Sequence, residues 1–338
     1  MFVTNSLTGG GAERAMNLAA NELSKRNWPI ALVPINSSGP DFVEPICEVF
    51  PVNRTWRGTL LNTIRAFFRF QEIIHSWKPD IVVVTCDLPE FYGAFLFHRS
   101  CIVVVEEASA PWGTRKSFGR LVRFILRMRG ALWVAASPHL TIWPNGRVPD
   151  AVLQNIMAFT DELNGDDLVE VTLQNLIYIG RLSAEKRPDW FVEICSKGNF
   201  QGILIGDGPL KESLIKQDKA TNAQVQFKGY LPNPWSNINK DQLLIVPSAS
   251  EGDGLVVIEA MKANLPLLIS DIPDFRRFNF PEKHYCKSPQ DFILRIEQYQ
   301  TDLHSLIVPV TIKERILNER TPQVVGDSWV TFLEGLNK

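Results

Sequence analysis

Two glutamates around a glycine-containing turn are the residues whose types and spacing most clearly predict chemistry. Glu251 and Glu259 lie in the segment EGDGLVVIEAM at 251–261, which follows a strand-like apolar run and leads into a predicted helix. Glycines let a backbone approach a ligand closely, and the first amides of a helix attract an anion. The segment therefore predicts an anion site. The residues that would form it are Gly252, Asp253, Gly254, Leu255 and Val256.

The two glutamates themselves suit hydroxyl groups better than phosphate. A carboxylate beside a phosphate is repulsive, whereas Glu259 can accept two hydrogen bonds from a diol and Glu251 can reach the other side of the same ligand. The alternative is that both are solvated charges around an ordinary loop–helix junction. Because both glutamates and both glycines occur in one strand–loop–helix segment, we favour the binding interpretation.

A pair of cations follows another predicted strand. The sequence GRLSAEK at 180–186 comes directly after a strand-like apolar run, and ligands of parallel α/β sheets lie outside the carboxyl ends of the strands. Arg181 could neutralise a diphosphate as a bidentate fork, and Lys186 as a point charge. The alternative for this loop is two solvated cations that pair with Glu185 and Asp189.

Two further glycine turns could approach a ligand. Gly206 opens the turn GDGP, and Gly10 and Gly11 lie in GGGAER between a short strand and a helix. Neither turn fits the dinucleotide fingerprint G-x-G-x-x-G, because Lys211 and Arg14 occupy its last glycine position. Taken singly, each turn is explained as well by simple turn glycines. The sequence has no D-x-D triplet and no histidine spacing typical of a metal site, so no metal is predicted.

Short β-branched runs alternate with helix-period stretches along the chain. The strand-like runs are Ile81–Val84, Ile102–Val105, Leu176–Ile179, Leu243–Val246 and Leu267–Ile269. The helical stretches include Ala12–Lys25, Thr59–Ser76, Trp190–Ser196 and Leu255–Ala263. The pattern restarts after the acidic segment Thr160–Glu170. It predicts two Rossmann-like, doubly wound α/β domains at residues 1–160 and 161–321, with a terminal helix within 322–338 that packs back on the first domain.

The composition narrows the class of protein. A chain of 338 residues with 45% apolar and 21% charged residues is long enough for two cores. Its net charge of -2 argues against nucleic acid as a partner, although residues 1–150 are net positive and the remainder is net negative. The five cysteines form no C-x-x-C pair, no secretory signal is visible, and no apolar run approaches the length of a membrane span. We therefore expect a cytoplasmic protein.

Taken in order, these motifs resemble a retaining glycosyltransferase of family 4, which has the B-type fold of two Rossmann-like domains facing across a cleft. The matching segments are GGGAER, EASAP at Glu107–Pro111, Gln154-Asn155, GRLSAEK, GDGPL, EGDGLVVIEAM and Ser270-Asp271, and they cover nearly the whole chain. The resemblance implies that the first domain binds the acceptor and the second domain binds the nucleotide-sugar donor.

The resemblance also implies individual roles. Arg181 and Lys186 match the ligands of the diphosphate, Glu259 the ligand of the ribose, and Glu251 the residue near the donor sugar. The remaining matches are Tyr230 and Leu231 beside the base, Gly10 and Gly11 in a loop that closes over the donor, Gly206 in a donor-side loop, and Glu107 on the acceptor side.

Three departures from the family pattern concern the choice of sugar. Asp253 replaces an aromatic residue between the two glycines and would place a negative charge near the donor sugar. Asn264 replaces a frequent glycine after the helix, and the EASAP segment lacks the histidine that many relatives place against the sugar. We expect these changes to affect sugar specificity more than the fold or the reaction class.

The resemblance implies transfer of a sugar from a nucleoside diphosphate sugar, expected to be UDP-linked, to a saccharide or lipid-linked acceptor in surface polysaccharide or glycan assembly. The anomeric configuration would be retained. Arg181, Lys186 and Glu251 would be the catalytic residues, and the leaving diphosphate would need no obligatory metal or other cofactor. Two alternatives remain: a sugar-nucleotide epimerase of the same fold, which needs no acceptor, and a non-catalytic relative that binds nucleotide sugar.

The segment Arg115–Gly130 contains six cations and no acid. Arg120, Arg123 and Arg127 recur at spacings of three and four, so on a helix they share one face. The large apolar residues beside or opposite them are Phe118, Leu121, Phe124 and Ile125. This pattern predicts an interfacial helix whose arginines contact the anionic inner face of the cell membrane. The alternative is a core-packed helix with a solvated basic face.

Overall fold

A computed structural model of the chain describes residues 1–7, 10–36, 43–55, 60–108, 112–157, 173–231 and 233–336. The chain divides into two compact units, one made of Met1–Ile156 with Glu319–Lys338 and the other of Met157–Asn318. Both divisions lie a few residues before the domain boundaries expected at 160 and 321. The expected linker Thr160–Glu170 lies outside the described residues.

The first unit is built on a parallel sheet. Its described strands are β1 (Phe2–Thr4), β2 (Ala31–Pro34), β3 (Glu48–Val49), β4 (Ile81–Thr85), β5 (Cys101–Glu106), β6 (Leu132–Ala135) and β7 (Ala151–Val152). They lie in the order β3-β2-β1-β4-β5-β6-β7. The helices between them are α1 (Gly11–Lys25), α2 (Leu60–Trp77), α3 (Asp87–Ala94) and α4 (Lys116–Met128).

The second unit repeats this plan. Its described strands are β8 (Asn175–Ile179), β9 (Gly202–Ile205), β10 (Val225–Gly229), β11 (Gln242–Val246), β12 (Leu267–Ser270) and β13 (Tyr285–Cys286), in the order β10-β9-β8-β11-β12-β13. Its helices are α5 (Pro188–Gly198), α6 (Lys211–Thr221), α7 (Leu255–Lys262), α8 (Pro273–Arg276), α9 (Pro289–Tyr299) and α10 (Val310–Asn318). The strand order reverses between β8 and β11, and ligands of such sheets bind outside the carboxyl ends of the strands at that point.

Alternating side chains cover both faces of each sheet. In β4, Val82 and Val84 lie in one buried apolar cluster, whereas Val83 lies in another on the opposite face. In β11, Leu243 and Ile245 are separated from Leu244 in the same way. Because both faces are buried, these strands are continuous apolar runs in the sequence. The two predicted doubly wound α/β domains are therefore confirmed.

A terminal helix, α11 (Pro322–Leu336), closes the first unit. Trp329 is buried against Phe2 of β1, with ring centroids 5.3 Å apart. Arg26, which follows α1, donates to the Asp327 carboxylate at 2.5 Å and to the Gln323 carbonyl at 2.9 Å. The last helix thus packs on the first helix and the first strand. Of the helices within the described ranges, none has the length and apolar character to cross a membrane.

Candidate functional site

The loops after β8 and β11 meet through a partly buried ion pair. Lys186 Nζ lies 2.6 Å from Glu251 Oε2, and Ser248 Oγ donates to Glu251 Oε1 at 2.7 Å. Glu251 is 6% exposed, so its carboxylate depends on these partners. The amide of Ala249 also donates to the Glu185 carbonyl at 2.8 Å, which ties the two loops together. Two predicted site residues therefore meet where the strand order reverses.

The alternative pairing of these cations is not what the structure shows. The Glu185 carboxylate accepts a hydrogen bond from Ser183 Oγ at 2.5 Å, while Lys186 pairs with Glu251. Arg181 is exposed and has no hydrogen bond from its guanidinium and no ion pair with any described residue. Its backbone is held in place, because Tyr178 Oη donates to its carbonyl at 3.0 Å. The guanidinium of Arg181 is thus available to an anion.

The glycine at 206 is explained by a close backbone approach. A β-carbon at this position would lie 1.8 Å from the Gly180 carbonyl oxygen, and the residue has a φ of +149°. Its amide donates to the Gly229 carbonyl at 2.8 Å. Gly206 is buried, so it serves to pack the loop after β9 against the loop that carries Arg181.

The start of α7 contributes backbone amides to the site. Gly254 precedes the helix with a φ of +63°, a left-handed conformation that favours glycine. The first amides of a helix have no acceptor within it, and the amides of Leu255 and Val256 find none elsewhere among the described residues. The turn before the helix is fixed because the Glu251 amide donates to Asp274 Oδ2 at 2.7 Å. These amides present partial positive charge beside the half-buried Gly252.

Glu259 lies in the second turn of α7 and is 4% exposed. Trp235 Nε1 donates to Glu259 Oε2 at 3.1 Å, which fixes the carboxylate. Tyr230, which is 44% exposed, and Leu231, which is half-buried, follow β10 directly. Since the strands are parallel, these residues emerge at the same edge of the sheet as Arg181. Sequence reasoning missed Trp235, because one tryptophan carries no spacing signal.

The expected negative charge of Asp253 is not left uncompensated. Arg277 Nη2 donates to Asp253 Oδ1 at 3.1 Å and to the carbonyl of the same residue at 2.5 Å. Asp253 is 4% exposed, so its carboxylate is largely shielded from water. Arg277, 24 residues further along the chain, therefore balances the negative charge expected at Asp253.

Asn264 follows α7 with a φ of +53°. Asparagine tolerates the left-handed conformation that glycine usually adopts after a helix. Its Oδ1 accepts a hydrogen bond from Lys313 Nζ at 2.9 Å. The departure at this position therefore preserves the helix end.

Polar residues of the first unit also lie at the carboxyl edge of its sheet. Gly10 precedes α1 and Gly11 begins it, and the Gly10 amide donates to Glu13 Oε2 at 3.1 Å. Glu107 follows β5, and Asn155 Nδ2 donates to Glu107 Oε2 at 3.2 Å. This contact joins two of the segments that carry the family resemblance. The rest of EASAP, residues 109–111, lies outside the described residues.

Cys86 lies at the same edge, directly after β4, and was not singled out in the sequence. Its φ of 68° and ψ of 167° belong to a region that is almost restricted to glycine. Burial raises the pKa of the thiol well above its usual range, and the nearby carboxylates of Glu13 and Glu107 raise it further. The thiol therefore stays protonated beside these two acids.

Of the three arginines on one face of α4, Arg123 points into the first unit. The side chain of Arg123 is 1% exposed and lies 2.6 Å from Glu90 Oε1 and 2.6 Å from Glu106 Oε2. Burial raises the pKa of Glu106, although Arg123 acts against this shift. The prediction that Arg123 contacts a lipid surface is wrong, because carboxylates from α3 and β5 enclose it. Large apolar side chains of α4 are exposed instead, namely Phe118, Leu121, Phe124 and Met128.

No group of three or more His, Cys, Asp and Glu side chains in the described ranges is arranged to hold a metal ion. The cysteines are all free thiols.

The carboxyl edge of the second sheet offers positive charge from Arg181 and Lys186, amides at the start of α7, and the carboxylate of Glu259 held by Trp235. This set can bind a phosphate-bearing ligand that also carries hydroxyl groups.

Known proteins share both the sequence pattern and the fold. Residues 166–302 match the family described as glycosyl transferases group 1. The Campylobacter jejuni GalNAc-alpha-(1->4)-GalNAc-alpha-(1->3)-diNAcBac-PP-undecaprenol alpha-1,4-N-acetyl-D-galactosaminyltransferase is 25% identical over 275 residues, which cover 77% of this chain and 76% of the relative. The Escherichia coli O-antigen biosynthesis glycosyltransferase WclY is 39% identical over 225 residues, which cover 60% of this chain and 62% of the relative.

A solved structure shows the same architecture over almost the full length. Anabaena Alr3699/HepE in complex with UDP and glucose superposes with a TM-score of 0.76 at 15% identity, covering 99% of this chain and 98% of that one. The likeness establishes the fold of two parallel-sheet α/β domains, the B-type fold of glycosyltransferases. The segment match and the two relatives show a glycosyltransferase that carries a glycosyl transferases group 1 domain at residues 166–302.

Proposed function

We propose that the chain transfers a sugar from a UDP-linked donor to a lipid-linked or free saccharide, with retention of the anomeric configuration. The observation that carries the proposal is the grouping of Arg181, the Lys186–Glu251 pair and Glu259 at the carboxyl edge of one sheet. In this assignment Arg181, Lys186 and Glu251 act on the reacting part of the donor, and Glu259 holds the ribose.

The ion pairing of the two cations favours Arg181 as the principal partner of the diphosphate. Lys186 is already balanced by Glu251, whereas the Arg181 guanidinium has no ion pair with any described residue. When the bond between the anomeric carbon and the diphosphate breaks, its electron pair stays on the departing oxygen. Arg181, Lys186 and the first amides of α7 stabilise this developing charge. The oxygen of the acceptor hydroxyl bonds to the anomeric carbon, and its proton passes to the departing diphosphate.

The carboxylate of Glu259 is suited to the ribose. One of its oxygens is fixed by Trp235, so the group is oriented before the ligand arrives. A carboxylate accepts hydrogen bonds and donates none, which fits a diol. Tyr230 and Leu231 follow the edge strand β10 and offer apolar surface to the base. The Anabaena structure is a complex with UDP and glucose, which supports a uridine donor.

The names of the relatives support the acceptor class. The Campylobacter relative is named for an undecaprenol-diphosphate-linked saccharide, and the Escherichia relative for O-antigen biosynthesis. We propose a lipid-linked or saccharide acceptor in surface polysaccharide assembly on the cytoplasmic side of the membrane. Glu107, held by Asn155 at the carboxyl edge of the first sheet, is the residue we assign to an acceptor hydroxyl.

We also propose that the reaction needs no obligatory metal, because arginine, lysine and helix amides supply the positive charge. Transfer should then continue after chelation by EDTA. Complete loss of activity on chelation, restored by manganese or magnesium, would contradict this part of the proposal.

The proposal is tested by a panel of nucleotide sugars offered with and without a saccharide acceptor. Thermal shift identifies the bound nucleotide first, since a ligand at a hundred times its dissociation constant stabilises the fold by about 2.7 kcal/mol. We expect release of the nucleoside diphosphate that depends on the acceptor, and a product with the anomeric configuration of the donor by NMR. Conversion of the nucleotide sugar without acceptor would indicate an epimerase, and binding without turnover would indicate a non-catalytic protein.

A further inference from the structure

A cavity of about 370 Å³ lies beside α4, within the first unit. Its lining residues are Arg120, Arg123, Phe124, Arg127, Pro144 and Asn145. Three arginines of one helix face therefore border a single cavity. The hydrogen bonds and ion pairs that these arginines already make determine which of them can bind a ligand in the cavity.

Arg123 has no donor left for a ligand. It makes five hydrogen bonds, two to Glu90, two to Glu106 and one to the Trp143 carbonyl, which equals the number of N–H donors of a guanidinium. It is part of the wall and not a binding group.

Arg120 and Arg127 differ from Arg123 in their hydrogen bonding. Neither forms a hydrogen bond or an ion pair with any residue in the described ranges. Arg120 lies 5.9 Å from the ring of Trp143, and Arg127 lies 5.7 Å from the ring of Trp133. Nε and Nη2 of Arg127 are buried without a hydrogen-bond acceptor. Burying an unpaired charge is costly, so an anion in the cavity would be favoured because it offsets the charge of this guanidinium.

The exposed face of α4 indicates what carries the anion. Phe118, Leu121, Phe124 and Met128 are 44%, 54%, 60% and 73% exposed, and spacings of three and four place them in one row. We call these four residues the apolar row. Phe124 belongs to the row and also lines the cavity, so hydrocarbon surface and cationic cavity are continuous. Amphiphiles with an anionic head match such a pair of surfaces.

We propose that this cavity binds the phosphate or diphosphate group of a lipid, held by Arg120 and Arg127, while the hydrocarbon chain lies along the apolar row. The proposal deepens the acceptor side of the proposed function and rests on it only for the identity of the lipid. Binding itself is measured without sugar transfer, so its failure and the failure of transferase activity are distinguishable.

The test uses farnesyl diphosphate, inorganic diphosphate and farnesol, titrated into the full chain by calorimetry. Farnesyl diphosphate should bind more tightly than either half alone, because it fills both surfaces. The double variant Arg120→Gln/Arg127→Gln should weaken its binding about ten-fold or more through loss of charge-assisted hydrogen bonds. Leu121→Ser/Phe124→Ser should weaken farnesyl diphosphate and leave inorganic diphosphate unchanged.

The matched control is Arg115→Gln/Lys116→Gln, which removes the same charge from exposed positions at the start of the same helix. At about 0.5 M salt exposed charges are screened, so the control should bind like the wild type while the cavity variant remains weak. Equal losses in both double variants would overturn the proposal in favour of general surface charge. Inorganic diphosphate binding as tightly as farnesyl diphosphate would overturn the role of the lipid chain.

Two arms identify the source of the phosphate. Flotation with phosphatidylglycerol vesicles, compared with phosphatidylcholine vesicles, reports a phospholipid head group. Phosphatidylcholine vesicles doped with a prenyl diphosphate report a lipid-linked diphosphate. In both arms the cavity variant should lose binding while its affinity for donor nucleotide and its thermal unfolding stay at wild-type values. Loss of donor binding together with lipid binding would show a folding defect, in which case the single variant Arg120→Gln, an exposed residue, repeats the test.

Discussion

Arg181 and Lys186 carry the same charge but differ in their surroundings. Removing Lys186 takes the ion pair at 2.6 Å away from the Glu251 carboxylate, which is 6% exposed. Breaking an ion pair of a buried carboxylate destabilises a protein on its own account. Arg181 has no partner among the described side chains, so its replacement changes the ligand site and little else. The two residues therefore need different experiments.

Glu259 gives a prediction at the level of one hydrogen-bonding group. Glu259→Gln keeps an oxygen for Trp235 but removes the charge that strengthens bonds to a diol. We expect wild-type protein to bind UDP more tightly than 2′-deoxy-UDP by about 1.5–3 kcal/mol, measured by calorimetry. The variant should lose most of this preference. An unchanged preference in the variant would show that the carboxylate does not hold the ribose.

His284 predicts a pH dependence of stability in the second unit. It is buried, its Nδ1 lies 3.0 Å from the Leu267 carbonyl, and its Nε2 has no hydrogen-bond partner. Burial lowers its pKa from 6.5 to about 4. Between these values the unfolded chain binds a proton that the folded chain does not, so stability falls as the pH falls.

The loss reaches roughly 3 kcal/mol by the lower end of this window. Urea unfolding at pH 7 and pH 4.5 measures it. His284→Gln should lose less stability between the two pH values than the wild type, and the exposed control His304→Gln should behave like the wild type. Identical pH dependence in all three proteins would contradict the assignment to His284.

At the scale of elements, α4 is held to the first unit by charge as well as by apolar contact. Arg123 joins α4 to Glu90 of α3 and Glu106 of β5, and Trp112 Nε1 donates to Glu90 Oε2 at 2.9 Å. Two buried carboxylates thus depend on one guanidinium. The orientation of α4, and with it the exposure of the apolar row, follows from this network.

We expect Arg123→Met to destabilise the first unit by about 3–5 kcal/mol, because it leaves both carboxylates buried and unpaired. Trp133 lies 5.2 Å from the Arg123 guanidinium, so tryptophan fluorescence can follow urea unfolding of this region. The loss should be smaller at pH 5 than at pH 7, since protonation neutralises the orphaned acids. Arg129→Met, at an exposed position after the same helix, is the control and should cost less than about 0.5 kcal/mol. Equal effects of the two substitutions would contradict the network.

Local periodicity predicted the elements well, because burial of both sheet faces makes strands visible as apolar runs. The run Leu176–Ile179 corresponds to β8, and the terminal helix with Pro322 at its start corresponds to α11. The site loops after β8 and β11 were also predictable, since parallel strands place their carboxyl ends at one edge. Two-residue strands such as β3 and β7 carry no periodicity and were missed.

Contacts between distant residues were not predictable in the same way. The alternation of α4 showed that its two faces differ, but not which face is inside. That choice depends on Glu90, 33 residues before Arg123. The pairing of Asp253 with Arg277 and the bond from Trp235 to Glu259 have the same origin. Each is a match between side chains that only the folded chain brings together.

At the scale of the whole molecule, two units of similar architecture present different chemistry. The second unit offers positive charge and helix amides at the reversal point of its sheet, which suits a diphosphate. The first unit offers Glu107 with Asn155 at its sheet edge and a cationic cavity with exposed apolar side chains on α4. The excess of positive charge in residues 1–150 agrees with this division of roles.

In the proposed function, Arg181 at the carboxyl edge of the second sheet binds the diphosphate of the donor. Calorimetric titration of UDP into wild type, Arg181→Gln and Lys197→Gln tests this assignment. Lys197 is an exposed cation on α5, so its replacement removes the same charge outside the site. We expect Arg181→Gln to weaken UDP binding about ten-fold or more through the loss of charge-assisted hydrogen bonds, whereas Lys197→Gln should bind UDP like the wild type. Wild-type affinity in Arg181→Gln, or equal weakening in both variants, would contradict it.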